Sequence, residues 1–303
     1  MANQVISGLE LWQWYRQAQA QARQAEVSLT EVDWLLQQVA GLERLALRLE
    51  SFKDSPQLIL PLSLAELREL WRRRLEERVP VQYLAGVTPW RHFSLQVSPA
   101  VLIPRPETEL IVDIAVAAVQ RRSQSNSFSS PWHWVDLGTG SGAIAIGLAA
   151  AFPNSWVHAV DYSLEALAVA QQNAKNLGFA DRIQFYQGSW WQPLASFKGQ
   201  IGGMVANPPY IPSHLLSDLQ PEVARHEPHL ALDGGWDGLD CIRHLVATAP
   251  EYLRPGGLWL IEMMAGQAES VTELLRSHGS YDSIEICCDL TGIERFVLAY
   301  RCE

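Results

Sequence analysis

The 303 residues carry a net charge of −10 and a pI near 5.3, the wrong sign for a chain whose main partner is a nucleic-acid backbone. With 48% hydrophobic and 18% charged residues the composition is that of a globular chain, and no apolar run approaches the roughly 18 residues of a membrane helix. The length allows two domains at about 100 to 200 residues each, and Met1-Ala2-Asn3-Gln4-Val5 has no basic, apolar leader, so a cytoplasmic location is expected.

From Gly8 to Arg78 the pattern is helical. Leu9, Leu11, Trp12 and Tyr15 open an amphipathic run, and Ser28 with Glu31 and Ser63 with Glu66 have the spacing of capping boxes. Pro80 ends the last helix. Residues 1–80 are thus expected to form a small all-helical domain, with docking of a macromolecular substrate one possible role. Arg72-Arg73-Arg74 with Arg78 is the one basic cluster, and Glu76 and Glu77 interrupt it, as in a solvated helix face. Residues 81–108 are expected to be a linker built on a hairpin, because Phe93, Leu95 and Val97 alternate with polar residues. Two prolines then bracket Arg105 ahead of a helix to about Val119. The Ser-, Asn- and Gln-rich stretch from Arg121 to Pro131 is expected to be a surface loop.

Residues 109–303 alternate strand and helix. Strands are predicted at Trp132 to Asp136, Val157 to Val160, Ile183 to Tyr186, Gly203 to Ala206 and Leu258 to Glu262, with helices between them. This is an α/β pattern with a parallel sheet covered on both faces. The last two strands, Ser283 to Cys288 and Glu294 to Tyr300, are joined by only five residues and therefore form an antiparallel hairpin. Cys241, Cys287, Cys288 and Cys302 have no C-x-x-C spacing and read as free thiols. The eight histidines form no H-E-x-x-H or H-x-H frame, so no metal is expected. The twelve tryptophans, Trp190 apart, are assigned to packing.

Two stretches carry chemistry. The first strand leads into Gly138-Thr139-Gly140-Ser141-Gly142, where glycines let the backbone approach a ligand and a helix N-terminus offers free N–H groups. Asp161 ends the second strand, where a carboxylate can hold both hydroxyls of a ribose. The Gly138-x-Gly140-x-x-Ala143 spacing also satisfies the dinucleotide fingerprint, so alone it leaves NAD and other adenosine cofactors open. The fourth strand ends in Asn207-Pro208-Pro209-Tyr210. Asn207 Oδ1 and the Pro208 carbonyl are acceptors, successive prolines hold the backbone stiff, and Tyr210 offers a flat face. The set suits a planar group bearing NH2, held through its two N–H bonds with the nitrogen lone pair free to attack an electrophile. As a bare tetrapeptide it is also an ordinary turn.

The acceptor cluster after the fourth strand and the antiparallel last hairpin are foreign to a nicotinamide dehydrogenase. The domain resembles the seven-strand class I S-adenosylmethionine-dependent methyltransferases. More narrowly, the helical N-terminal region, Leu102-Ile103-Pro104-Arg105-Pro106-Glu107-Thr108-Glu109, the Asp136 to Ala145 stretch, Asn207-Pro208-Pro209-Tyr210-Ile211 and Glu227-Pro228 are similar to the peptide chain release factor glutamine methyltransferase family, HemK/PrmC, from about residue 28 onward. The resemblance implies S-adenosylmethionine as cofactor. Gly138, Thr139, Gly140, Ser141 and Gly142 would line its methionine and ribose, Asp161 would hold the ribose, Ser189 and Trp190 would border the adenine, and Asn207 would adjoin it. It implies methyl transfer to the side-chain amide nitrogen of the glutamine in the Gly-Gly-Gln loop of bacterial class I release factors, with Asn207, Pro208, Pro209 and Tyr210 as the acting residues. Ser189 departs from the family, which usually has an acidic residue there; a hydroxyl can still bond the adenine amino group, without charge. Against this stand an adenine-N6 methyltransferase on DNA or RNA, which would present a flipped-out exocyclic amine to the same tetrapeptide, a non-catalytic S-adenosylmethionine-binding module, and an NAD oxidoreductase. The acidic balance and the absence of a recognisable target-recognition domain disfavour the first, and the intact tetrapeptide disfavours the second.

Overall fold

In the computed structural model, residues 4–123 and 132–302 are described, so part of the expected loop from Arg121 to Pro131 lies outside the described residues. The chain forms two compact units: residues 1–87 with 221–226, and residues 88–220 with 227–303.

The first unit begins with β1 (Gln4–Ile6), α1 (Gly8–Gln24), α2 (Leu29–Ala40), α3 (Arg44–Leu49), β2 (Leu58–Leu60), α4 (Leu64–Arg72) and α5 (Val81–Ala85). It is not wholly helical. β1 and β2 pair antiparallel, Gln4 opposite Leu60 and Ile6 opposite Leu58, in runs too short to show a period. Leu11, Val32, Leu35, Leu36, Leu67 and Trp71 fill its core. Ser7 with Glu10 and Ser63 with Glu66 form true capping boxes. Ser28 with Glu31 does not: Ser28 Oγ lies 2.8 Å from Thr30 Oγ1, and Glu31 pairs instead with Arg74 at 2.5 Å. A single π turn at Arg73–Glu77 follows α4 and carries Arg74 inward, to 4% exposure. The basic cluster is therefore only partly a solvated face. Arg72 is exposed among Glu69, Glu76 and Glu77, whereas Arg74 is buried between Glu31 and Glu222, and Arg78 shares Glu222.

The second unit contains β3 (Val87–Trp90), β4 (Phe93–Gln96), α6 (Leu110–Ser123), β5 (His133–Leu137), α7 (Ala143–Ala151), β6 (Trp156–Asp161), α8 (Leu164–Asn176), β7 (Ile183–Gln187) and β8 (Ile201–Ala206). After α9 (Pro221–His226), whose six residues belong to the first unit, come α10 (Asp240–Tyr252), β9 (Leu253–Glu262), α11 (Ala268–His278), β10 (Tyr281–Cys288) and β11 (Glu294–Arg301). The expected boundaries at 80 and 108 give way to one at Val87. Val81 is buried in the first core, and Trp90 and Leu95 of the β3–β4 pair are buried in the second, so the hairpin is not a free linker.

Seven strands form one sheet in the order β10-β11-β9-β8-β5-β6-β7. β7, β6, β5, β8 and β9 run parallel, and β11 is antiparallel to both its neighbours, which is the predicted fold class. Each face is covered. Trp134, Leu258 and Leu260 face α6 and α7, and Val135, Trp259 and Ile261 face α10 and α11. Glycines in β8 serve packing: a Cβ on Gly203 would stand 2.3 Å from Trp134 Cζ3. The chain reverses its order across the sheet between β5 and β8, so the crevice beyond their carboxyl ends is where this topology receives a ligand. Among the described residues no helix is long and apolar enough to cross a membrane, and the four cysteines are unpaired.

Candidate active site

A cavity of about 550 Å³ opens at those strand ends. Its wall brings together Gly138 and Gly140 after β5, Asp161 after β6, Ser189 and Trp190 after β7, and Asn207 and Pro209 after β8. Seven of the twelve residues singled out from the sequence thus line one space. Thr139, Ser141, Gly142, Pro208 and Tyr210 do not line it. Thr139 and Ser141 are buried, and Gly142 caps α7 at φ +83° against Ala170. Pro208 is buried, and the half-buried Tyr210 donates its hydroxyl to Glu262 Oε1 at 3.1 Å.

The glycine loop is shaped by its carboxylates. Gly138 and Gly140 sit at φ +79° and +54°, which a side chain rarely adopts, and the space beside Gly140 is open. Asp161 clamps the loop: its Oδ2 accepts the Gly140 N–H at 2.8 Å and its Oδ1 the Ser163 N–H at 2.9 Å. Burial raises its carboxyl, and these amides counter the shift. Each oxygen keeps lone-pair capacity toward a ligand hydroxyl. Asp136 is wholly buried; its Oδ2 accepts the Thr139 hydroxyl at 2.6 Å and the Ala145 N–H at 3.0 Å. Desolvation pushes it up to about 7, and its Oδ1 has no protein partner. On the far wall Trp190 adopts φ +50°, a strained setting for a bulky residue and typical of functional sites.

The tetrapeptide is strapped from its carboxyl side. Ile211 donates to Leu232 O at 3.0 Å and accepts from the Gly234 N–H at 2.8 Å, and Gln267 Nε2 donates to the Tyr210 carbonyl at 3.1 Å. Asn207 Nδ2 donates to Thr108 Oγ1 at 3.3 Å. Arg105 Nη2 reaches both oxygens of the buried Glu227, at 2.8 and 2.9 Å, so the Ile103-to-Glu109 stretch is tied to the loop that brings Pro228 to the cavity.

Sequence reasoning missed part of the wall: Ala100 to Leu102, Tyr162, Ser163, Leu230, Ala231, Asp233 and Cys241. Their only sequence signal is adjacency to motifs, before Ile103, after Asp161 and after Glu227-Pro228. The mostly apolar lining, with Asp161, Ser163, Glu165, Ser189, Asn207 and Asp233 among its polar points, together with the glycine backbone open to approach, fits a nucleoside-bearing cofactor such as S-adenosylmethionine. Among the described residues no group of histidine, cysteine or acidic side chains is placed to hold a metal ion.

Comparison with known proteins agrees with this geometry. Residues 129–221 match a family model described as a methyltransferase domain. The catalytic domain of hMettl16 has the same fold at TM-score 0.53 and 14% identity, covering 82% of this chain and 86% of that one. The release factor glutamine methyltransferase of Synechocystis sp. is 53% identical over 97% of both chains. The protein of that name from Gloeobacter violaceus is 45% identical over 95% of this chain and 96% of its own. The chain is an S-adenosylmethionine-dependent methyltransferase and belongs to the release factor glutamine methyltransferase family.

Proposed function

We propose that this protein methylates the side-chain amide nitrogen of the glutamine in the Gly-Gly-Gln loop of class I peptide chain release factors, in the cytoplasm where they act. The observation that best supports this reading is the cavity itself, in which Asn207 and Pro209 share a wall with Gly138, Gly140 and Asp161.

S-adenosylmethionine, when bound, supplies a methyl group already activated on a sulfonium. The protein's task is placement. Backbone at Gly138 and Gly140 would make room for the cofactor, Asp161 would hold its ribose, and Ser189 and Trp190 would flank its adenine. Asn207 Oδ1 and the Pro208 carbonyl accept the two amide hydrogens, Pro209 keeps the backbone stiff, and the Tyr210 ring packs on the amide plane. An amide nitrogen is a weak nucleophile because its lone pair is delocalised. Holding both N–H bonds would fix the direction of that lone pair, and orientation of this kind contributes roughly 7–11 kcal/mol. No strong general base is needed, because the nitrogen becomes acidic once it carries the new methyl group and its proton can then leave.

The test is transfer of labelled methyl from S-adenosylmethionine to purified release factor, with a loop Gln→Ala factor and duplex DNA alongside. Label on the wild-type factor alone supports the reading; label only on DNA hands it to an adenine-N6 activity. In the same assay Asn207→Ala is expected to lower turnover about 100-fold or more with cofactor affinity little changed. Asp161→Ala is expected to weaken cofactor binding, and unchanged affinity would refute the ribose assignment.

A further inference from the structure

Beside the tetrapeptide lies a loop whose arms are pinned and whose tip is bare. Ile211 and Asp233 form a single parallel bridge, which lays residues 233–238 alongside residues 210–213. Asp233 lines the cavity, and its Oδ1 accepts the Ser213 hydroxyl at 2.7 Å and the Gly235 N–H at 2.9 Å. The Ser213 N–H donates to the Gly235 carbonyl at 2.9 Å, and Gln267 Nε2 donates to the Gly238 carbonyl at 3.3 Å. Both arms need glycine. A Cβ on Gly234 would stand 2.8 Å from Tyr210 Cα, and one on Gly238 would stand 2.3 Å from the Tyr210 carbonyl oxygen. Between these arms, at the tip, Trp236 is 86% exposed.

Single apolar side chains on a surface need no explanation. Trp236 differs on two counts. Tryptophan is highly buried on average, and this one stands in apolar company. Tyr162 and Leu230 line the cavity while 64% and 60% exposed, so they form its mouth. The segment between β8 and α10 that carries Leu230 carries Trp236 six residues on. A cofactor held in the cavity leaves Trp236 outside, since that side chain is not part of the lining. A glutamine presented by a folded protein, in contrast, cannot enter without bringing neighbouring surface over the mouth. An aromatic ring on a pinned loop loses little freedom when it is covered, and such preorganised aromatic anchors carry much of the binding energy of protein interfaces.

We infer that Trp236 is an anchor for the protein substrate, packing on apolar surface of the release factor beside its Gly-Gly-Gln loop. This rests on the substrate reading proposed above and extends it from the reacting amide to the surface that delivers it. The contact is the same before and during methyl transfer, so it belongs to KM and not to kcat.

The experiment measures kcat and KM for methyl transfer to purified release factor, cofactor Kd by calorimetry, melting temperature and sedimentation. It compares full-length wild type, Trp236→Ala, Trp236→Phe and Trp156→Ala, the last a control at the start of β6, the opposite end of the sheet. Trp236→Ala is expected to raise KM about 10- to 30-fold, with kcat, cofactor Kd and melting temperature close to wild type. Trp236→Phe, which keeps a flat apolar ring, is expected to recover most of that loss, and Trp156→Ala to leave KM unchanged. An unchanged KM in Trp236→Ala overturns the anchor, as does an equal rise in Trp156→Ala. A rise matched by lost cofactor affinity or a lower melting temperature makes Trp236 a brace for its own loop and overturns the anchor too. Self-association of the wild type that Trp236→Ala abolishes gives the face to a second copy of this chain, with the same result. Wild-type enzyme that leaves release factor unlabelled overturns the substrate reading beneath, whereas normal labelling with a KM indifferent to Trp236 removes the anchor alone.

Discussion

Asp136 lies one residue from the end of β5 and Asp161 ends β6, yet only Asp161 has partners on both oxygens. Wholly buried and half-satisfied, Asp136 is pushed up to about 7, against about 3.9 in an unfolded chain. A carboxyl raised on folding stabilises the protein fully below its unfolded value, and this contribution is lost as pH rises through the folded value. Asp136→Asn, which cannot ionise, is therefore expected to melt above the wild type at pH 8 without cofactor, with the gap narrowing by pH 5 and closing below about pH 4; thermal melts at pH 8 and pH 5 check this, and an equal gap at both would contradict it. The place of Asp161 at the cavity beside the glycine loop was legible in the sequence because a carboxylate at a strand end next to a glycine loop has a geometric consequence. The missing partner of Asp136 was not, since it depends on which amides the folded loop happens to turn toward it. Tyr162 and Ser163 were illegible for the same reason: nothing in an unremarkable Tyr-Ser pair says which side of a loop faces a cavity.

Strand β8 shows how element-level reading succeeds and where it stops. The apolar Gly203-to-Ala206 stretch read as a strand, and the strand formed, Ile201–Ala206, is parallel and buried at every residue. What the pattern does not reveal is that Gly202 and Gly203 make room for Trp132 and Trp134. Gly203→Ala is expected to destabilise the protein by about 1–3 kcal/mol through overpacking, measured by urea denaturation, and to reduce methyl transfer because β8 ends at Asn207. The missing capping box at Ser28, which still caps α2, has a related cause. Local spacing offered Glu31 to the Ser28 amide, but the buried Arg74 offers it a full positive charge across 43 positions, and pairing with a guanidinium outweighs a bond to an amide dipole. The β1–β2 ribbon escaped notice because three-residue strands carry no measurable alternation.

On the scale of the whole molecule, the order of strands and helices in residues 109–303 followed from their alternation, and the family motifs pointed to the same fold. The division into units did not, because it rests on a distant pairing. Helix α9 belongs to the helical unit although it lies in the sequence between two cavity-bearing segments, and Glu222 on it meets Arg74 and Arg78 at 2.8 Å. Removing one partner of a buried pair strands the other. Glu222→Ala, in the full chain, is thus expected to lower hydrogen-exchange protection in α4 and the π turn, 148 positions away, while amides of β5 and β8 keep theirs. The chain passes between units after Val87, after Gln220 and after His226. During synthesis this sets an order of events. Residues 1–87 leave the ribosome first but wait for residues 221–226 to complete their unit, a delay of roughly 7–28 s at typical elongation rates of about 5–20 residues per second. For that interval Arg74 lacks one of its two carboxylates, so the first unit to be made is completed only after most of the second has already been synthesised.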